Sequence, residues 1–354
     1  MKTKLFSAPI LAITALSFTG LALAQEDVDT TPGRPRYVTL PPKPSTDLVT
    51  PASSLPTWTG SFTYGGNTYN YTMVGTAPST GTSTSIPVVI IPVKVVITSR
   101  TGTKTTFDPT SIVSSTTSSP IFDNTTTYTQ GGVDVGTTQY IDAFQRANFW
   151  GTVSTQPNYH LLLGPVSQVA EVTFSPTSRQ GTLGKPFGFV VGEVGINWFD
   201  VQVRSQITKL GITPGTLPIF LTRDVYLTSG GCCVGGYHSA TGAQSYAYAT
   251  YIDHVGAFAQ DVSALSHEVG EWADDPLVTN SGNPVPCSSN PILEVGDPLE
   301  GNANYGGYPY VLHGFTYNLQ DLVTLPYFGA PASTSVNGWF TFQGETLSVC
   351  QNGG

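Results

Sequence analysis

The sequence predicts an α+β fold: a mixed sheet with a backing helix and a site-bearing helix, joined to a β-rich N-terminal part. Three stretches carry that prediction. "IPVVIIPVKVVIT" (86–98) is a continuous Val/Ile run, the pattern of a strand buried on both faces. "NWFDVQVRSQITKLG" (197–211) is amphipathic at helical spacing, stops at Gly211, and leads into the strand "LPIFLTRDVYLT" (217–228). "SALSHEVGEWADDP" (263–276) sets one histidine and four acids on a helical stretch, in a chain where only 10 % of residues are charged.

From the N-terminus, Lys2 and Lys4 precede an apolar run from Leu5 to Leu21, and Ala22-Leu23-Ala24 is an A-x-A site. This predicts a signal peptide over 1–24, cleaved after Ala24, and an extracellular or periplasmic protein. Ser7, Pro9, Thr14, Ser17 and Thr19 interrupt the run, which argues against a membrane anchor. Residues 25–57 are rich in Pro and Thr and read as an extended linker or pro-like segment. The remainder, 58–354, reads as one domain. It opens with a hairpin, "SFTYGGNTYNYTMVG", turning at Gly65-Gly66-Asn67. In the Val/Ile strand, Pro87 and Pro92 must sit where no ladder donor is needed. Residues 104–135 read as a long Thr/Ser-rich loop with short strands. "TTQYIDAFQRANFW" reads as a helix capped by Thr138. "HLLLG", "VAEVTF" and "FGFVVG" are short strands. "GGCCVGGYHSATG" (230–242) reads as a glycine-rich loop, and "SYAYATYID" as an edge strand. The site-bearing helix is expected from Asp261, as N-cap, to Asp274.

The formal net charge is −9 and there is no basic stripe, which argues against nucleic acid and against anionic membrane surfaces. Four cysteines in a chain expected to be exported suggest disulfides. Bonds between adjacent residues are strained and uncommon. Cys287 and Cys350 are therefore expected to pair with each other or with the Cys232/Cys233 doublet.

On a helical wheel, Val262, Leu265, Val269, Trp272 and Ala273 share one arc, and His267, Glu271 and Asp274 lie opposite. His267 and Glu271 are one turn apart and stack on one face. Gly270, a poor helix former, suggests close approach of another backbone. The H-E-x-x-E pattern resembles the H-E-x-x-H helix of zinc peptidases, with Glu271 in place of the second histidine. A carboxylate is an acceptable zinc ligand, but it softens the preference for zinc over harder metals. The third ligand is expected from "PILEVGDPLEG", as Glu294 or Asp297; Asp275 and His238 are alternatives. Tyr308 and His313 are candidates for the rim of the site, where such groups stabilise an oxyanion, and His254 for an outer position.

The order helix, strand, loop, edge strand, site helix is that of the zincin metallopeptidases. "SHEVGEWADDP" with "LEVGDPL" and the upstream "GYHSA" resembles a group of secreted bacterial proteins sharing S-H-E-x-x-E, D-P and E-x-G-D. A more distant similarity, over about residues 185–300, is to the plant exordium or phosphate-induced extracellular proteins. These resemblances imply a zincin-like fold and an exported metal-dependent hydrolase, a peptidase above all. His267 and Glu271, with Glu294 or Asp297, would hold Zn2+, and Glu268 would deprotonate a metal-activated water. The substrate would be an extracellular peptide, protein or wall polymer. A second reading is a non-catalytic wall- or carbohydrate-binding protein with a structural metal, such as Ca2+ on Asp274, Asp275 and Asp297. A third is a glycosidase using Glu268 with Glu294.

Overall fold

The computed structural model describes residues 35–44, 54–280, 293–333 and 339–344. The predicted signal peptide, Cys287 and Cys350 lie outside them. The fold is a strand-rich α+β arrangement around a curled mixed sheet.

The chain enters as β1 (Arg36–Thr39), then forms a hairpin of β2 (Thr57–Tyr64) and β3 (Asn67–Val74) turning at Gly65-Gly66, as expected. The Val/Ile run becomes β4 (Ser83–Thr98), followed by β5 (Lys104–Phe107), a short helix α1 (Val113–Thr117), and a second hairpin, β6 (Thr126–Gln130) with β7 (Val133–Thr138). Helices α2 (Tyr140–Asn148) and α3 (Trp150–Val153) lead to β8 (His160–Gln168), β9 (Val172–Phe174), β10 (Gly181–Gly184) and β11 (Val191–Gly195). Then come α4 (Ile196–Leu210), β12 (Leu217–Arg223), β13 (Val225–Thr228), β14 (Cys232–Thr241), β15 (Gln244–Tyr251) and α5 (Ser263–Asp274), and a last hairpin of β16 (Gly307–Leu312) and β17 (Phe315–Gln320).

The main sheet runs β10-β11-β13-β14-β15-β12-β4-β5, with β8 and β9 on β4 and β1 on β14. Both prolines of β4 find donor-free places. Pro87 sits at a register shift against β8, and Pro92 falls where β8 has ended at Gln168 and β9 begins at Val172. One face of the sheet packs on α4, where Phe199, Val203 and Ile207 meet Ile91, Val93, Val95 and Phe220. Gly211 ends α4 in the left-handed conformation, as its sequence predicts. The opposite face packs on α5 and α2, burying Leu265, Val269 and Trp272 with Tyr140 and Phe144. No helix among the described residues is long and apolar enough to cross a membrane.

Several expectations are corrected. "LPIFLTRDVYLT" is two strands, broken at Asp224, whose φ is 53°. "GGCCVGGYHSATG" is the strand β14, and β15 is no edge strand, because it lies between β14 and β12 and is buried throughout. Pairing on both sides satisfies a glycine-rich backbone that local propensity assigns to a loop. Residues 35–44 are not a loose linker but pack along β14. Cys232 and Cys233 are bonded to each other, their Cα atoms 3.0 Å apart across a cis peptide, so the doublet is not open to Cys287 or Cys350. Gln139, not Thr138, occupies the N-cap of α2; the Thr138 hydroxyl donates to Asp142 at 2.7 Å. Val262 is the N-cap of α5, and Asp261 instead accepts the backbone and side-chain N–H groups of Asn318.

Candidate metal centre

Helix α5 departs from the amphipathic picture: every residue from Ser263 to Asp274 is buried. Its polar arc faces inward, against β14, β17 and the loop 293–300, where the scarce acids collect. Gly270 is met closely by the Leu322 side chain, rather than by a backbone.

His267 is oriented first. The Gln320 side chain donates through Nε2 to the Tyr305 carbonyl at 3.2 Å, which turns Oε1 toward the imidazole. His267 Nδ1 donates to that Oε1, leaving Nε2 with its lone pair. His267 Nε2 lies 3.0 Å from Glu271 Oε2 and 3.6 Å from Asp297 Oδ1. The Gly296 N–H donates to Glu271 Oε1 at 3.1 Å and so fixes which oxygen points inward. Across the cluster, His238 Nδ1 lies 3.4 Å from Glu268 Oε2 and 3.8 Å from Glu271 Oε2.

Two glycines make this approach possible. A Cβ on Gly236 of β14 would come within 2.8 Å of Glu268 Cγ, and one on Gly296 would run into His267 Nδ1 and Gln320 Oε1. Gly236→Ala is thus expected to displace Glu268 and cost most of any activity while the far-ultraviolet circular dichroism stays unchanged. Retained activity would show that the strand and helix can separate without penalty.

Two overlapping groups among the described residues could hold a cation: His267, Glu271 and Asp297, and His238, Glu268 and Glu271. Ligands about 2.1 Å from a tetrahedral ion lie about 3.4 Å apart, and the observed separations straddle that value. The stronger indication is polar dissatisfaction. Both ring nitrogens of His238, Nε2 of His267 and both carboxylate oxygens of Glu268 are buried without a hydrogen bond of normal geometry. Such burial is costly unless a partner of another kind is supplied.

The electrostatics agree. Burial pushes Glu268, Glu271 and Glu294 well above the usual carboxylate range; neighbouring negative charges, led by Glu271, Asp297 and Glu271 respectively, push the same way. Glu294 and Glu271 are hydrogen-bonded to each other, which requires a proton between two carboxyls that would otherwise repel. Asp297, at the rim with 38 % of its side chain exposed, is raised to about 7 by desolvation and then by Glu294. His238 is lowered to about 3, by burial and then by His267, and burial also lowers His267. Neutral imidazoles facing crowded carboxyls are a donor set suited to a divalent cation.

Of the predicted positions, His267, Glu268, Glu271, Glu294 and Asp297 meet here, with His238 joining from β14. Asp297 enters a ligand group, whereas Glu294 lies behind Glu271 and accepts the Thr39 hydroxyl. Asp275 is spent on the helix end, accepting the N–H groups of Thr279 and Asn280. Asp274 accepts from Gln145, so the Asp274–Asp275–Asp297 calcium arrangement does not form. His313 is exposed on the last hairpin, 3.1 Å from Asp123, and His254 stacks on Phe189, both away from the cluster. Tyr308 pairs with Leu319 in that hairpin, which serves the cluster through the adjacent Gln320. Sequence reasoning missed Gln320, Tyr37 and Thr39, since contacts across 53 to 263 residues leave no local pattern. Gln320→Leu is expected to weaken metal affinity about 10- to 100-fold, measurable by competition with a chromogenic chelator.

Comparison with family models, with curated proteins and with solved structures returns no match.

Proposed function

We propose that the chain is an exported metal-dependent hydrolase with a zincin-like arrangement, acting on peptide bonds. The observation that carries this reading is the set of buried, unsatisfied ligand atoms on His267, Glu268 and His238 gathered around Glu271. His267, Glu271 and Asp297 would hold the cation, zinc for preference, with calcium or another divalent ion as alternatives. When bound, such an ion supplies Lewis acidity to water and to the scissile carbonyl.

The chain's own groups do the rest. Glu268 lies beside the ligands on the same helix and is raised by burial, which suits a base that takes a proton from water and returns it to the leaving amine. Gln320 holds His267 in the tautomer that presents Nε2. His238 faces Glu268 at 3.4 Å, within reach of the same cation. Two histidines among the acids favour this reading over a bare Glu268–Glu294 glycosidase pair. The wall-binding alternative keeps the cation and drops the chemistry. Incubating the mature protein with zinc and an unfolded protein substrate separates the two: peptide fragments suppressed by a chelator support the hydrolase, and an intact substrate with metal bound supports the binding protein.

A further inference from the structure

The cluster is closed by a segment of its own chain. Residues 36–39 add to β14 in parallel, with Val38 opposite Tyr237 and Thr39 opposite His238. The Leu40 and Lys43 amides donate to the His238 and Ala240 carbonyls at 3.2 and 2.8 Å. The Tyr37 ring lies over His267, centroids 4.0 Å apart, and against Phe258 at 4.8 Å. Its hydroxyl is 3.2 Å from Ser263 Oγ at the start of α5, its backbone N–H donates to Glu300, and Thr39 donates to Glu294. Room for the ring comes from Gly235, where a Cβ would stand 3.0 Å from Tyr37 Cε1 and 2.9 Å from Phe258 Cε1.

This ladder is short and carries a register irregularity between Arg36 and Val38, whereas β14 and β15 pair without a break from Gly236 to Thr241. Beyond that ladder the segment is tied at single points: Leu40 accepts from the Ser239 hydroxyl at 2.9 Å, Lys43 accepts from the Gly242 amide at 2.9 Å, and Arg36 donates to the Ser229 carbonyl at 2.7 Å. Its side chains sit on His267 and Glu294, and its backbone on Glu300 at the end of loop 293–300. An extended chain with backbone bonds to a strand and one side chain in a pocket is a general mode of peptide recognition.

Resting on the reading of the cluster as a hydrolytic centre, we propose that residues 35–44 are a displaceable internal occupant of the substrate groove. The groove takes an extended polypeptide, with a tyrosine-like side chain in the pocket now filled by Tyr37. Displacement of the segment opens the centre to water and substrate.

The test uses peptide binding, which requires neither turnover nor metal and so can fail independently of the hydrolase reading. A fluorescein-labelled peptide of sequence PRYVTLPPKP is titrated against the full chain carrying Tyr37→Ala and Thr39→Ala, followed by anisotropy. Saturable binding is expected, at least tenfold weaker for the peptide with alanine in place of tyrosine, and at least tenfold weaker for the wild-type chain, whose own segment competes. Absence of binding to the folded variant, or equal binding of the two peptides, would overturn the proposal. Should the variant not fold, hydrogen exchange on the wild-type chain decides. Exchange of the Leu40 and Lys43 amides at least 100-fold faster than those of β15 supports displacement; exchange only with β15, in global unfolding, overturns it.

Discussion

Glu268→Gln is expected to lower peptide hydrolysis by about 10²- to 10⁴-fold, the contribution typical of a positioned general base. Metal content should stay at the wild-type level, and the melting temperature should match or exceed it. The stability direction follows from the surroundings: burial and the neighbouring acids disfavour the ionised form of Glu268, and an isosteric amide is neutral at every pH. Steady-state kinetics, metal analysis and a thermal melt on one preparation check all three. Full activity would remove Glu268 from its role. Loss of metal would instead make it a ligand, in the group with His238 and Glu271.

Chelation is expected to lower the melting temperature by roughly 5 to 15 °C, since an ion at a thousandfold excess over its dissociation constant contributes about 4 kcal/mol. The loss should be larger at pH 8 than at pH 5. Glu268, Glu271 and Glu294 titrate above their ordinary range in the folded chain. Without a cation, the folded state then binds more protons than the unfolded one from about pH 4.5 upward, so its stability falls as the pH rises. Scanning calorimetry with and without chelator at the two pH values measures this. A melt indifferent to chelation would mean the carboxyls are content with their own protons.

Much of this was readable in local pattern. The double-sided burial of β4 follows from an unbroken Val/Ile run, and α4 from its spacing and Gly211. His267 and Glu271 are a helical turn apart in any helix, so their juxtaposition needed only the helix. The loop holding Glu294 and Asp297 stood out because its acids sit between residues that must be buried, Leu293, Val295 and Leu299.

What local pattern missed was decided by tertiary pairing. β14 looks like a loop because Gly235 and Gly236 disfavour strands in isolation. Their missing side chains are what let Tyr37, Phe258 and Glu268 approach. Helix α5 reads as half-solvated because its acids resemble a wet face, yet they turn inward toward two imidazoles. Gln320 and Tyr37 carry no chemical signature of their own; they matter through His267, which they reach from opposite ends of the chain. Strain argues against a bond between adjacent cysteines in general, yet Cys232 and Cys233 are bonded to each other.

The central claim is that a cation organises the cluster on α5. Elemental mass spectrometry of the purified protein, beside His267→Ala/Glu271→Ala, tests it most directly. The account predicts close to one equivalent of a divalent metal, zinc for preference, in the wild type and near none in a folded double mutant. Wild-type protein that stays metal-free after equilibration with micromolar zinc, or a double mutant that keeps its metal, would contradict it.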